Sequence, residues 1–115
     1  MKVLKLINLT PHDVRIRQVD GTVLDYPACD IANPLRADEK TEVETHLKGT
    51  PVRKMSFKAT QESCERANRY LQVADGILVS KIMAEALAKC GIHNFVFICG
   101  KLDRATGVCD GICVL

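Results

Sequence analysis

The segment from Gly76 to Gly100 constrains the fold of this chain more than any other. Gly76-Ile77-Leu78-Val79-Ser80 is a short apolar run of strand character, and Asn94-Phe95-Val96-Phe97-Ile98-Cys99-Gly100 is a second, continuous one. A strand without polar alternation is covered on both faces. Between the two runs, Val79, Ile82, Met83, Ala86, Leu87 and Cys90 recur at three- and four-residue spacing, the stripe of an amphipathic helix. Lys81, Glu85 and Lys89 fall on the other face, with Glu85 before Lys89 in the favoured order. Ser80 is a natural N-cap and Gly91 a natural stop. Strand, helix, strand in this order predicts a β-α-β crossover, right-handed and parallel.

The rest of the chain reads as strands and turns around that unit. Val14 to Gln18 and Thr22 to Tyr26 form a predicted hairpin closed by Val19-Asp20-Gly21. A three-residue loop sets Ile16 opposite Leu24, Val14 opposite Tyr26 and Arg15 opposite Asp25, matching charge with charge and apolar with apolar. Gly21 supplies the left-handed position that such a loop requires. Pro27 to Lys40, with two prolines, reads as loop, and Arg36-Ala37-Asp38-Glu39-Lys40 as a solvated face.

Thr41, Val43, Thr45 and Leu47 alternate with Glu42, Glu44, His46 and Lys48, the period of a half-buried strand. A loop at Gly49-Thr50-Pro51 would pair Glu42 with Lys58, His46 with Lys54, Val43 with Phe57 and Thr45 with Met55 in a second hairpin. His46 is thereby a solvent-facing strand residue. Thr60 to Asp75 fits either two helical turns or a surface loop. Lys101 to Thr106 reads as a charged connection, and Gly107 to Leu115 as a last strand in which Gly111 marks a bulge or a close backbone approach. The fold class that follows is α+β: one small domain, residues 1–115, with β-hairpins around a β-α-β element.

Composition excludes several classes of function. Sixteen basic against fourteen acidic side chains leave a formal charge of +2, too even for a polyanion-binding surface. Three Phe, two Tyr and no Trp offer few platforms for stacking bases, so a nucleic-acid polymer is not the expected partner. No run of about 18 apolar residues predicts a membrane span, and Met1-Lys2-Val3-Leu4-Lys5 lacks the apolar core of a signal peptide. The expected location is the cytoplasm.

Six cysteines, at 29, 64, 90, 99, 109 and 113, are expected to be reduced there. Cys90, Cys99, Cys109 and Cys113 have apolar neighbours and read as small hydrophobes. Cys109-Asp-Gly-Ile-Cys113 comes nearest to a zinc spacing, and no second pair accompanies it, so neither a metal nor another cofactor is expected.

The chemistry-bearing residues concentrate at the end of the first predicted strand, Val3 to Ile7. There Asn8, Thr10, Pro11, His12 and Asp13 follow one another closely, and strand ends commonly carry sites. One reading is local: Asn8 or Thr10 caps a turn, Pro11 fixes φ, and His12 or Asp13 bonds nearby backbone. The other is that Asn8, Thr10, His12 and Asp13, joined by Arg36, Lys101 and Arg104, hold an anionic small molecule such as a nucleotide. Arginine and lysine would neutralise phosphate while Asn and Thr bond base or ribose.

The run Ile7-Asn8-Leu9-Thr10-Pro11-His12, followed by Asp13-Val14 and the turn Asp20-Gly21, resembles the opening of a family of small bacterial and bacteriophage proteins with an Asn-Leu-Thr-Pro-His signature. The likeness continues at Ile77-Leu78-Val79-Ser80-Lys81-Ile82-Met83-Ala84 and from Asp103-Arg104 to Gly111. Cys99-Gly100 departs from the family pattern, which has an acidic residue before that glycine. The resemblance implies a shared fold and a phage or bacterial origin, and no activity.

Three functions of different class follow from this sequence. The first is binding or sequestering an anionic, nucleotide-like ligand. The second is a partner-protein-binding or structural module, including a homo-oligomer, working through an apolar patch or an open sheet edge. The third is a small hydrolase using His12, which needs a nucleophile within about 3 Å of the ring. No Walker loop, Gly-x-Gly-x-x-Gly or His-Glu-x-x-His motif points to a particular chemistry.

Overall fold

A computed structural model describes residues 5–115; Val3 and Leu4 of the first predicted strand lie outside the described residues. The fold is α+β. Its elements in chain order are β1 (Leu6–Asn8), β2 (Val14–Arg17), β3 (Val23–Tyr26), β4 (Asp38–Leu47), β5 (Thr50–Lys58), α1 (Gln61–Val73), β6 (Gly76–Leu78), α2 (Lys81–Lys89), β7 (Val96–Asp103) and β8 (Val108–Cys113). Six strands form one sheet in the order β1-β6-β7-β8-β2-β3, while β4 and β5 make a separate ribbon. Among the described residues no helix is long and apolar enough to cross a membrane.

The predicted crossover is present, with β6 and β7 paired in parallel around α2. Alternation along the central strands sends side chains to two cores. Ile77, Val79, Val96 and Leu9 pack beneath the helices with Ala67, Met83, Ala84, Ala86 and Leu87. Leu78, Leu6, Val14, Ile16 and Cys109 fill the opposite, concave face with Phe97, Tyr26 and Ile112 against them. The sheet curls far enough for its first and last strands to meet: Asn8 bridges Ala28 just beyond β3, and the Cys29 N–H donates to the Asn8 carbonyl at 2.8 Å.

The hairpin of β2 and β3 has the predicted register, with Ile16 opposite Leu24, Val14 opposite Tyr26 and Arg15 opposite Asp25. Gly21 sits at φ +88°. The Asp20 carboxylate accepts from the Thr22 amide at 2.9 Å and its hydroxyl at 2.6 Å. Those two bonds hold the Asp20 carboxyl below its ordinary pKa.

The second hairpin corrects the expectation. Glu42 faces Lys54, Thr41 faces Met55 and Glu39 faces Phe57, and the strand begins at Asp38 rather than Thr41. The turn is the two residues Lys48 and Gly49, at φ +50° and +82°, the backbone of a type I′ turn whose twist matches the strands it joins. Pro51, expected in the loop, lies within β5, where a ribbon with a free outer edge tolerates a missing N–H. A register shift between Val43 and Thr45 marks a bulge near Glu44. Every residue of β4 is exposed, and so is all of β5 except half-buried Phe57.

Elsewhere, α1 resolves the Thr60–Asp75 ambiguity in favour of a helix, with the Thr60 hydroxyl accepting from the Ser63 amide. The apolar stripe of α2 is rotated from the expected one. Met83, Ala84, Ala86 and Leu87 are buried, whereas Ile82 and Cys90 are exposed, Cys90 because it lies past the helix end as its C-cap. Strand β7 starts at Val96, after an exposed Phe95 at φ +61°, and continues to Asp103, so Lys101 is a strand residue and not part of a connection. Gly111 marks neither a bulge nor a close approach: the ladder keeps its register on either side and a Cβ there would meet open space, so its φ of +80° is what calls for glycine, whereas it is a Cβ on Gly100, across the ladder, that would run into the carbonyls of Asp110 and Gly111.

Leu87 is fully buried and Lys81 exposed on the same helix. Leu87→Ala is expected to lower the unfolding free energy by about 2–5 kcal/mol and Lys81→Ala by less than about 0.5 kcal/mol, as measured by denaturant titration. Similar small changes at both would contradict this helix packing.

Candidate functional site

The turn after β1 is organised by one side chain. Asn8 is 2% exposed on the concave side of the sheet. Its Nδ2 donates to the His12 carbonyl and the Tyr26 carbonyl, both at 2.8 Å, and its Oδ1 accepts from the Thr10 amide at 3.0 Å and the Thr10 hydroxyl at 2.6 Å. Two donors and two acceptor positions are the full capacity of an amide. The single hydroxyl hydrogen of Thr10 goes to Asn8 Oδ1, the nearer of its two acceptors, with the His12 carbonyl at 3.0 Å. Asp13 continues the pattern: its Oδ1 accepts from the Ala28 amide at 2.9 Å, tying the start of β2 to the end of β3.

Local turn chemistry therefore accounts for Asn8, Thr10 and Asp13, and for the main chain of His12. The His12 side chain is exposed, and among the described residues no side-chain hydrogen bond engages its ring.

The cations expected to join them lie elsewhere and in two places. Lys101 and Arg104 line a cleft of about 420 Å³ together with Arg17, Leu102, Asp103, Val108 and Asp110. Arg17 comes from β2, Lys101 from β7 and Arg104 from the turn after it. Among the described residues none of these three cations forms an ion pair; the two pairs found are Arg15–Asp25 and Lys40–Glu42. Of the two carboxylates in the cleft, Asp103 accepts from the Ala105 amide at 2.9 Å, and Asp110 stands opposite Lys101 in the ladder. Three cations against two carboxylates leave the cleft with a positive excess.

Arg36 lines a different, more open cleft of about 640 Å³ beside the start of α1, with Asn33, Asp38, Thr60, Glu62, Ser63 and Arg66 among its neighbours. The Arg66 guanidinium donates to the Asn33 carbonyl at 2.8 Å, which ties the 27–37 loop to α1. Asn8, Thr10, His12 and Asp13 line neither cleft. The structure thus brings Lys101 and Arg104 together and leaves the turn and Arg36 apart. Sequence reasoning missed Arg17 and Arg66. The 62, 63, 66 spacing would have put Glu62, Ser63 and Arg66 on one helix face had α1 been predicted, whereas no local signal ties Arg17 to Lys101.

The thiols fall into different environments. Cys109 is buried, Cys64 and Cys99 are half-buried, and Cys29, Cys90 and Cys113 are exposed, all six unpaired. The expectation that apolar neighbours bury Cys90 and Cys113 is corrected, since both sit at element ends. Desolvation, and then the adjacent Cys109, push Cys99 up to about 12. Desolvation followed by the Cys90 thiol also raises Cys64. Among the described residues no group of three or more His, Cys, Asp or Glu is gathered closely enough to hold a metal ion.

Compared with known protein families, with curated proteins and with solved structures, the chain matches none.

Two predictions come from these environments. Asn8→Ala leaves the His12 and Tyr26 carbonyls without their buried donor and is expected to cost about 2–5 kcal/mol, against less than about 0.5 kcal/mol for His12→Ala, both read by chemical denaturation. Equal effects would remove Asn8 from its central place. In the native protein at mildly alkaline pH, a chromogenic disulfide reagent should modify Cys29, Cys90 and Cys113 well before Cys99, whose thiolate is disfavoured; mass mapping showing Cys99 modified first would contradict that order.

Proposed function

We propose that this protein binds a small phosphate-bearing molecule of the nucleotide class in the cleft between β2 and β7. The observation that carries the reading is the convergence on one concavity of Arg17, Lys101 and Arg104, none of which is ion-paired among the described residues. Two of these positions sit on strands, which hold a site more rigidly than loops do. Guanidinium groups can grip phosphate oxygens in pairs while the lysine adds a point charge. The Asp110 carboxylate beside them can accept from ribose hydroxyls, a role acidic residues commonly take toward nucleotides. At about 420 Å³ the cleft lies in the range of small-molecule sites.

This reading keeps Lys101 and Arg104 as ligand-binding residues, adds Arg17, and leaves out Asn8 and Thr10, which hold the turn, and Asp13, which holds the Ala28 amide. Among the described residues no side chain is hydrogen-bonded to the His12 ring, so no geometric observation favours the hydrolase reading.

A thermal-shift series with nucleoside mono- and triphosphates, cyclic nucleotides and sugar phosphates tests the proposal. A ligand present at about a hundred times its dissociation constant stabilises by about 2.7 kcal/mol, a rise in Tm of several degrees for a domain of this size. Lys101→Ala with Arg104→Ala should abolish that rise and leave the unliganded Tm within a degree or so, since both side chains are exposed. His12→Ala and Arg36→Ala should retain it. A shift lost with Arg36→Ala instead would move the site to the cleft at α1. No shift from any of the phosphates would reject the ligand reading.

A further inference from the structure

The ribbon of β4 and β5 is carried by the two helices. β5 runs past α2 and ends at Lys58; Ala59 is then buried in the core, and Thr60 caps α1. The ribbon thus feeds directly into the first turn of α1 and leans on α2. Whatever links those two helices decides how firmly the base of the ribbon is held.

Each helix brings a cysteine to that junction. Cys64 stands in the first turn of α1, its N–H donating to the Thr60 carbonyl at 3.0 Å, and is half-buried against the core cluster that holds Leu87. Cys90 is the C-cap of α2, its N–H donating to the Leu87 carbonyl at 3.0 Å, and is exposed. The two thiols adjoin between the helices. Cys99, Cys109 and Cys113 also lie near one another, but on β7 and β8, which their ladder already joins. A bridge there would tie nothing new. Cys64 and Cys90 set a shielded thiol beside an exposed one and belong to two separate elements.

We propose that Cys64 and Cys90 form a reversible disulfide that fastens the start of α1 to the end of α2, and so clamps the base of the ribbon, when low-molecular-weight disulfides such as oxidised glutathione accumulate. The exposed Cys90 acts first: its thiolate attacks one sulfur of the small disulfide, forming a mixed disulfide and releasing one small thiolate, which takes up the proton that Cys90 gave to solvent. Burial and the adjoining thiol favour the protonated form of Cys64, which makes it the slower nucleophile and the resolving one. It loses its proton to solvent and attacks Cys90 Sγ, expelling the second small thiolate. The two protein thiols give up two electrons and the small disulfide is reduced to two thiols, so no other reactant is needed. Cys90 lies past the last helical residue, where helix ends fray, and the chain there can close the remaining gap to a sulfur–sulfur bond. Where thiols are kept reduced, a bridge of this kind is transient and reports the redox state. Arg17, Lys101 and Arg104 take no part, so the inference stands apart from the nucleotide reading.

The full chain, treated with excess oxidised glutathione at mildly alkaline pH and then alkylated under denaturing conditions, is expected to yield the Cys64 and Cys90 peptides joined and two hydrogens lighter than the reduced pair. Fragmentation should place the link on Cys90 and not on Cys99, which shares its tryptic peptide. The bridged form should melt several degrees above the reduced form. Its hydrogen exchange should slow at residues 57–64 and 87–92 more than in β2, and dithiothreitol should reverse both changes. Cys64→Ser should halt at the mixed disulfide, with glutathione kept on Cys90 and neither change seen. A wild-type chain that keeps glutathione on Cys90 with Cys64 free, a bridge from Cys90 to another cysteine, or a bridged form that melts and exchanges like the reduced one would overturn the proposal. Those readings use the unaltered chain, so they decide even if Cys64→Ser does not fold.

Discussion

The amide of Asn8 holds the ends of the main sheet together. β1 and β3 are the two outermost strands of the six in the sheet order, and the hydrogen bond from Asn8 to the Tyr26 carbonyl spans that gap from inside. Its second donor and its oxygen fix the turn that carries the chain away from β1. A carboxylate in that place could not donate, and an aliphatic side chain would leave two backbone carbonyls facing the concave core. In a low-dielectric interior an unmatched polar group costs more than a matched one contributes. Asparagine satisfies all four contacts at once, which makes the turn a closing device for the curled sheet.

Closure has a consequence for where ligands can go. The polar residues most suggestive of a binding site are spent on backbone, and the groups free to meet a ligand are cations on the rim. Arg17 and Lys101 stand on strands separated by β8, so the cleft they share exists only because β2 and β7 flank that strand. Arg36 follows the loop to the start of α1 and joins a different concavity. Meanwhile β4 and β5 lie outside the curled sheet, with two free edges, and the ribbon meets the body where β5 runs past α2. The molecule thus separates a closed body from a projecting arm, and the two offer surfaces of unlike chemistry.

Much of the local structure was legible in the residues. The β2–β3 register followed from matching Arg15 with Asp25 and Ile16 with Leu24, because a slip of one residue would have turned Ile16 toward solvent. The β6-α2-β7 unit followed from apolar runs and a capped amphipathic stripe. The β4–β5 register was misread by four residues, and the reason is instructive. An even slip preserves which side chains share a face, so alternation cannot detect it; the left-handed pair Lys48 and Gly49 decides, and lysine gives little sign of that role. The bulge near Glu44 then alters the pairing toward the tip. Ile82 was assigned to the core on spacing alone, yet a helix of nine residues buries a limited arc, and Ala84 took the place at the sheet.

By itself the sequence determined the kinds of element, the parallel crossover, the first hairpin with its turn, and an even charge balance, all of which depend on neighbours within a few residues. Only the tertiary structure decided that β1 lies beside β6, that the sheet curls until Asn8 reaches Tyr26, and that Arg17, Lys101 and Arg104 share a cleft that Asn8 and His12 do not line. Those relations join positions far apart in the chain. They are set by how the two faces of one sheet fill two cores, and no local pattern encodes a distance between residues that meet only when both cores have formed.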